Sequence, residues 1–307
     1  MTTLVRTLVR LMLHNQRRHE SAKRNADDIN YNLEINIYFD NAFEKRNTKP
    51  KRDVTSEKMK FNSKADFEYK WYEKGGCHEW KVLNQFVKRF IRVMETVLEQ
   101  RGLIDAYRDA QVFTTPYGGK FVYNIAGTTF CVNLKDADEV QRGKRWSQIM
   151  YLYSLFGYKL DGCQMKNKND KLITKGNAYL HALDGDVDFE PIDFELVLAR
   201  MVRNPDVAAC CNQIHPQGSG PLVWFQRFEY AVGHWFQKAS EHVLGCVLCS
   251  PGCFSLVRVS FLMQDNVMAL YKSLATNARN KLMYDQGEDR WLCTLMLLSG
   301  GRIEFEA

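Results

Sequence analysis

The sequence predicts an α/β protein with a largely parallel sheet. Segments in which apolar and polar residues alternate, as in strands, take turns along the chain with segments whose apolar residues recur at helical spacing. Pro191 lies eight positions beyond the strand-like run that ends at residue 183, and it can occupy the first position of a helix. With 307 residues, 45% of them hydrophobic and 25% charged, the chain can bury one large core or two small ones.

The first third of the chain predicts a helix, a strand, a loop and a second helix. Apolar residues recur at helical spacing from Leu4 to Met12 after two possible capping threonines, and residues 31–39 alternate as a half-buried strand does. Residues 45–64 are basic and poor in apolar side chains, which favours a mobile surface loop. Periodicity over residues 82–101 predicts a helix that packs against a sheet. Its apolar stripe comprises Phe86, Val87, Phe90, Ile91, Met94, Val97 and Leu98.

The rest of the chain continues the alternation. Two strand-like runs, FVYNI and TTFCVNL, are joined through Ala126 and Gly127, which predicts a hairpin. The later elements are a helix, a strand, a helix and a strand, predicted at residues 146–156, at residues 178–183, from residue 191 onward and at residues 207–211.

The net charge and the cysteine content indicate which partners and which cellular compartment to expect. The net charge is +6, and residues 1–75 hold sixteen Lys or Arg against eleven Asp or Glu. Because aromatic residues are not interleaved with the basic ones, a solvated basic face is favoured over a nucleic-acid site. No run of about 18 apolar residues and no secretory pattern is visible, so we expect a cytosol-facing chain without a membrane span. Nine cysteines, with Cys210 and Cys211 adjacent, favour reduced thiols over a disulfide framework.

Two acidic clusters are candidates for chemistry. In AYLHALDGDVDF an apolar strand runs into Asp184 and Asp186, where two carboxylates can hold Mg²⁺ or Mn²⁺, although a simple turn has the same pattern. In YDQGEDRW, Glu288 and Asp289 enter an apolar helix, where they can cap the helix or act as a general base. If both clusters face one cleft, one can hold a metal while the other accepts a proton.

The segment CVLCSPGC has two interpretations. The spacing of Cys246, Cys249 and Cys253 suggests zinc or an iron–sulfur cluster, but His242 would have to supply the fourth ligand. The Pro251–Gly252 step instead favours a sharp turn that brings the backbone and Cys253 close to a ligand.

Two further segments also remain open. The run that begins at Pro221 carries aromatic residues at helical spacing, a pattern typical of a core and also of carbohydrate-binding clefts. Lys144 and Arg145 precede Trp146 at a helix start, where they can contact phosphate or sugar hydroxyls or be solvated.

Taken in order, these segments resemble the catalytic core of animal chitin synthases, which are processive family 2 glycosyltransferases. The matching segments are TPYGGKFVY, KRWSQIMYLYSLFG, AYLHALDGDVDF, GSGPLVWFQRFEYAVGHWFQKASEHVLGCVLCSPGCFSLVR and YDQGEDRWLCTLML. The similarity is dense from about Thr115 onward, and IYFDNAFE is its clearest trace upstream. The resemblance implies a GT-A type, Rossmann-like nucleotide-sugar transferase fold that is incomplete at both ends.

The resemblance also implies a reaction, namely inverting β-1,4 transfer of N-acetylglucosamine from UDP-N-acetylglucosamine to a growing chitin chain. Asp184 and Asp186 would hold the Mg²⁺ or Mn²⁺ ion, Lys144 and Arg145 would lie near the sugar donor, and Asp289 of the Glu288–Asp289 pair would be the base. The residues implied to line the acceptor channel are Trp224, Gln226, Glu229, Tyr230, Ser250, Pro251, Gly252 and Cys253.

The resemblance carries expectations about the whole protein as well. Residues 1–110 would be the N-terminal part of the catalytic domain, and residues 111–307 its glycosyltransferase core. The family's motifs that read like CATMWHE and QRRRW, and its transmembrane helices, are absent from the sequence, so we expect an interior segment of a cell-membrane enzyme with its catalytic part in the cytosol, which can form homo-oligomers and binds no nucleic acid. The alternatives are a non-catalytic product that binds UDP or the full-length synthase, and a related synthase of hyaluronan or cellulose.

Overall fold

A computed structural model describes residues 1–21, 31–46, 68–70, 80–105, 110–153, 174 and 176–306. The chain forms two compact units, Met1–Ser147 and Gln148–Ala307. Of the loop expected at residues 45–64, the first two residues belong to a strand and the others lie outside the described ranges. The end of the helix expected at residues 146–156 also lies outside them, from residue 154 onward.

The first unit contains ten described helices and strands. In chain order they are α1 (Thr2–Ser21), β1 (Glu34–Phe39), β2 (Phe43–Arg46), β3 (Glu68–Lys70), β4 (Trp80–Leu83), α2 (Gln85–Gln100), β5 (Gln111–Thr115), β6 (Gly118–Ile125), β7 (Thr128–Lys135) and α3 (Lys144–Met150).

The described residues of this unit form two sheets. The larger has the strand order β1-β7-β6-β5, in which β1 and β7 are parallel and the other two pairs are antiparallel. The smaller, β2-β4-β3, is antiparallel throughout. The predicted hairpin is confirmed as β6 and β7, and positive φ angles of 52° at Ala126 and 72° at Gly127 give the tight two-residue turn that joins them.

Helix α2 packs on the larger sheet, as predicted, but begins later than expected. Val82 and Leu83 belong to strand β4, and the helix starts after Asn84, whose side chain accepts a hydrogen bond of 2.9 Å from the Val87 N–H. Phe86, expected in the buried stripe, is 62% exposed, whereas the other six stripe residues are buried. The ring of Phe90 meets that of Phe39 on β1 edge-on, with centroids 5.1 Å apart.

A buried lysine fixes the turn that leads into α3. The Lys135 ammonium contacts the Asp40 carboxylate, the Gln141 carbonyl at 3.1 Å and the Ser147 hydroxyl at 3.0 Å. The second carboxylate oxygen of Asp40 accepts a 2.8 Å hydrogen bond from the Gly143 N–H. The ammonium is therefore satisfied although it has no exposed surface, and the start of α3 is held to the sheet.

The second unit contains the remaining elements. They are β8 (Tyr179–Leu183), α4 (Pro191–Arg203), β9 (Val207–Asn212), α5 (Pro221–Ala231), a π-helical continuation (Val232–Lys238), α6 (Ala239–Val243), β10 (Phe254–Arg258), α7 (Val259–Leu262), α8 (Asp265–Tyr271), α9 (Ala278–Lys281), a second π-helical segment (Leu282–Gln286), α10 (Glu288–Leu298) and β11 (Arg302–Glu306).

The sheet of the second unit has the order β11-β9-β10-β8. Strands β11 and β9 are parallel, while β10 runs antiparallel to both of its neighbours. The predicted α/β class is confirmed, and Pro191 occupies the first turn of α4 as expected. The proportion of parallel pairs is lower than predicted, because each four-stranded sheet combines one parallel pair with two antiparallel pairs. The two-residue turn between β6 and β7 requires an antiparallel pair, because parallel strands can be joined only through a long crossover connection.

Helix α5 is almost entirely solvent-exposed in the structure. None of its residues is buried, and Trp224 and Phe228 are 63% and 67% exposed. The interpretation of the aromatic stripe as core packing is therefore wrong for α5.

Within the part of the chain that the structure describes, no helix combines the length and apolarity needed to cross a bilayer.

Candidate functional site

The first acidic cluster lies where β8 ends. Asp184 follows the strand directly and is half-buried, and Asp186 is exposed in the turn beyond it. Because Leu183 pairs with Phe254 in the antiparallel β8–β10 ladder, the end of β8 lies beside the residues that lead into β10. The Asp184 N–H accordingly donates a hydrogen bond of 3.3 Å to the Cys253 carbonyl.

The turn before β10, residues 250–253, is anchored on α10 and on its own strand. The N–H of buried Ser250 donates to Sγ of Cys293 on α10 at 3.2 Å. Its hydroxyl lies 2.5 Å from that of Ser255 on β10. This turn, which we call the 250–253 turn, therefore has a defined position between the sheet and α10.

The second acidic cluster meets the same turn. Glu288 and Asp289 begin α10, and Oδ2 of Asp289 accepts a 2.9 Å hydrogen bond from the N–H of Gly252. Gly252 is buried, and its φ lies outside the left-handed region, so strain does not explain the glycine. A Cβ at this position would lie 2.8 Å from Oδ2 of Asp289 and closer still to Oδ1. Close approach of the carboxylate is therefore what excludes a side chain here.

The structure thus brings Asp184 and Asp289 against one turn. Asp184 contacts its Cys253 carbonyl, and Asp289 contacts its Gly252 N–H. The two acids approach neighbouring residues of the turn from two different elements, the end of β8 and the start of α10. Asp184 makes its contact through the backbone N–H, and the hypothesis that the two acidic clusters face one cleft stays a prediction.

The donor set at residues 184–186 fits a hard divalent cation. Mg²⁺ is usually held by one or two carboxylates together with substrate phosphates and waters, and Asp184 and Asp186 supply two carboxylates two positions apart in the sequence. In the described residues, no group of three or more His, Cys, Asp or Glu side chains could hold a metal ion. The binding of a divalent cation by Asp184 and Asp186 stays a prediction.

The cysteines of CVLCSPGC do not converge as zinc ligands would. Cys246 Sγ is 3.4 Å from the Val247 carbonyl and accepts from the Ile303 N–H at 3.4 Å. His242, the required fourth ligand, accepts from the Phe305 N–H through Nδ1. The alternative interpretation, a turn that brings the backbone and Cys253 close to a ligand, stays a prediction; within the turn, the Gly252 N–H contacts Asp289.

The other predicted site residues lie elsewhere in the chain. Trp224, Gln226, Glu229 and Tyr230 are all exposed on α5, and their place in an acceptor channel stays a prediction. Lys144 and Arg145 are the first two residues of α3, in the first unit. Arg145 is buried, with its guanidinium 5.1 Å from the centre of the Trp146 ring, and its role toward a sugar donor also stays a prediction.

Sequence reasoning missed a histidine beneath the first acidic cluster. His181 on β8 packs among the rings of Phe189, Phe194 and Phe254, with centroids 5.7, 5.1 and 4.4 Å away. Its Nε2 is buried without a hydrogen-bond partner. Burial lowers the pKa of His181 from 6.5 to about 3, so the ring is neutral at physiological pH. Its only sequence signal is a polar residue inside an apolar strand.

A thiol pair beside the 250–253 turn was also missed. A hydrogen bond from Cys293 lowers the pKa of Cys249 to about 7, although burial opposes the shift. The same hydrogen bond, and then burial, raise the pKa of Cys293. The two cysteines are 44 positions apart in the sequence, so spacing alone does not reveal the pair.

Comparison with known proteins identifies the family. A family model described as chitin synthase matches residues 128–303. Chitin synthase chs-1 of Caenorhabditis elegans is 38% identical over 309 residues and aligns with all of this chain, and chs-2 is 44% identical over 227 residues, or 73% of it. A chitin synthase of Meloidogyne artiellia is 39% identical over 294 residues, or 93% of the chain.

The α/β class with mixed sheets agrees with the GT-A type fold that the sequence resemblance implies. The chain belongs to the chitin synthase family. It spans 21%, 13% and 14% of the lengths of the three relatives named above.

Proposed function

We propose that this chain contributes the catalytic site of a chitin synthase, which transfers N-acetylglucosamine from UDP-N-acetylglucosamine to the end of a β-1,4 chitin chain. The proposal rests on the contact between Gly252 and Asp289. The same turn also accepts a hydrogen bond from the Asp184 N–H at its Cys253 carbonyl. Membership of the family supports the choice of reaction.

Asp289 is proposed as the general base. The Gly252 N–H holds Oδ2, which orients the carboxylate and leaves Oδ1 to accept the proton of the acceptor hydroxyl. Glu288, beside it at the start of α10, is proposed to assist at the same site. A single displacement with one base inverts the anomeric carbon, whereas retention would need a second carboxylate as nucleophile.

Asp184 and Asp186 are proposed to hold Mg²⁺ or Mn²⁺. When bound, the ion would neutralise charge on the UDP diphosphate and so ease its departure. The hydrogen bond from the Asp184 N–H to the Cys253 carbonyl holds the backbone of Asp184 to the turn that Asp289 contacts, which supports this assignment. An acceptor directed by that turn could attack in line with the leaving group, and holding the reactants in this geometry lowers the barrier.

The remaining assignments follow from the family resemblance. Lys144 and Arg145 are proposed to lie near the sugar donor, and the exposed aromatic and polar residues of α5 to line the acceptor channel. We also propose that the complete enzyme resides in the cell membrane through helices outside these 307 residues, with this segment on the cytosolic side.

The reaction is tested with the complete natural protein that contains these residues. Membranes carrying it are incubated with labelled UDP-N-acetylglucosamine or UDP-glucose and Mn²⁺. We expect label only from the first donor, in a polymer that chitinase degrades. Label from UDP-glucose, or a polymer that resists chitinase, would assign a different synthase. Absence of any polymer, combined with binding of UDP in calorimetry, would favour the non-catalytic alternative.

A further inference from the structure

Cys249 and Cys293 form a dithiol at the base of the 250–253 turn. The nearness of Cys293 lowers the pKa of Cys249, and that of Cys249 raises the pKa of Cys293. The peptide that follows Cys249 also contacts Cys293, since the Ser250 N–H donates to its Sγ at 3.2 Å and the thiol lies 3.7 Å from the Ser250 carbonyl. Cys249, which immediately precedes the turn, therefore lies beside the Cys293 sulfur on α10.

The surroundings give the two thiols different reactivities. Cys249 is half-buried and has Arg290 and Lys238 near enough to stabilise its thiolate, against an opposing effect of Asp289. The lowered pKa of Cys249 raises the fraction of its thiol that is ionised at neutral pH. Cys293 is only 2% exposed and stays protonated. An accessible thiolate next to a buried thiol is the arrangement of an attacking and a resolving cysteine.

We propose that Cys249 and Cys293 are a peroxide-oxidisable pair whose disulfide ties the 250–253 turn to α10. The Cys249 thiolate attacks one oxygen of hydrogen peroxide, the O–O bond breaks, and the released hydroxide takes a proton to become water. The resulting sulfenic acid on Cys249 is attacked by Cys293 sulfur, which forms the S–S bond and expels the hydroxyl group. That group leaves as a second water with the Cys293 proton, so two thiols supply the two electrons that reduce one peroxide.

The position of this pair gives its oxidation a structural consequence. Cys293 lies one helical turn beyond Asp289 on α10, and Cys249 lies three residues before Gly252. A disulfide would therefore tie the turn to the helix beside the Gly252–Asp289 contact. The proposal concerns the thiols themselves and stands whether or not the protein makes chitin.

The test is a disulfide map of the 307-residue chain after mild treatment with hydrogen peroxide. Free thiols are blocked with iodoacetamide and the chain is digested with trypsin without reductant. Residues 239–258 form one tryptic peptide, which contains Cys246, Cys249 and Cys253, and residues 291–302 form another, which contains Cys293. A Cys246→Ser, Cys253→Ser double variant leaves Cys249 as the single cysteine of the first peptide.

We expect the two peptides of the double variant to appear as one species, two hydrogen masses below their sum, which dithiothreitol separates. A further Cys249→Ser change should remove this species, and because this position is only half-buried, the chain should keep its circular dichroism spectrum. Oxidation of Cys249 to sulfinic acid without the cross-link would overturn the proposal. So would a Cys249 thiol that remains free, or one linked mainly to another cysteine.

Discussion

The N–H of Gly252 donates a 2.9 Å hydrogen bond to Oδ2 of Asp289, 37 positions later in the chain. This contact joins a turn before a buried strand to the first turn of a helix. It explains the glycine, because a Cβ would collide with the carboxylate. It also supplies the proposed base with a fixed orientation, since one of its two oxygens is held by the backbone.

Replacing Gly252 by alanine should move the Asp289 carboxylate without removing it. A Cβ within 3 Å of the carboxylate forces the side chain or the turn to shift, and a misplacement of about 1 Å at a reacting group can cost roughly 100-fold in rate. We expect chitin synthesis by the complete protein to fall by about that factor. Incorporation of labelled N-acetylglucosamine measures the effect.

Gly233→Ala is the matched control for this variant. A Cβ at Gly233 meets no atom within 4 Å, so the same added methyl group should leave synthesis within about twofold of the unmodified protein. Equal activity of the two alanine variants would show that the contact at Gly252 does not position the base.

Asparagine at Asp184 or Asp186 should weaken metal-dependent nucleotide binding. Each substitution replaces a charged oxygen ligand by a neutral one, and a divalent cation binds carboxylates more strongly. We expect the Kd for UDP in the presence of Mn²⁺ to rise at least tenfold, or about 1.4 kcal/mol, in calorimetry. Asp206→Asn, on an exposed side chain 3.6 Å from Arg302, is the control. UDP binding that survives both changes would exclude these acids as the metal ligands.

His181 should make the protein less stable in mild acid. Its pKa is about 3 in the folded chain and 6.5 when exposed, so the unfolded state takes up a proton that the folded state does not between these values. Above pH 6.5 the histidine is neutral in both states, and the free energy of unfolding is at its full value. As the pH falls below 6.5, this residue lowers the free energy of unfolding by about 1.4 kcal/mol per pH unit.

The His181→Phe variant tests this pH dependence. Phenylalanine keeps an aromatic ring among three others and removes the titrating group, so the variant should lose less stability than the unmodified chain between pH 6.5 and pH 5. Urea denaturation at several pH values measures the difference, and exposed His215→Gln serves as the control. Parallel stability curves for His181→Phe and the unmodified chain would contradict the account.

Local signals in the sequence predicted much of the fold. The turn at Ala126 and Gly127, the proline that begins α4 and the acidic start of α10 are each encoded within a few residues. Where the local sequence pattern was compatible with two structures, the prediction was wrong. The apolar residues Val82 and Leu83 continue the pattern of α2 although they pair as a strand, and an aromatic stripe has the same spacing whether buried or, as on α5, exposed.

The site was predicted as separate pieces but not as an assembly. The motifs singled out Asp184, Asp186 and Asp289 individually, and the Pro251–Gly252 step as a close approach. The antiparallel register of β8 and β10 brings the first acid to the turn, and packing of α10 brings Asp289. Both depend on contacts between residues far apart in the chain, which one sequence does not specify. The Cys249–Cys293 pair was missed for the same reason.

Asp289 is proposed as the base of a chitin synthase. Its most direct test compares Asp289→Asn with Asp285→Asn, the same substitution at an exposed acid one helical turn earlier. Both variants of the complete protein are brought to equal amounts in membranes, and incorporation of labelled N-acetylglucosamine into chitinase-sensitive polymer is measured. We expect a loss of about 10²–10⁴-fold for Asp289→Asn and near-normal synthesis for Asp285→Asn. Undiminished synthesis by Asp289→Asn would contradict it.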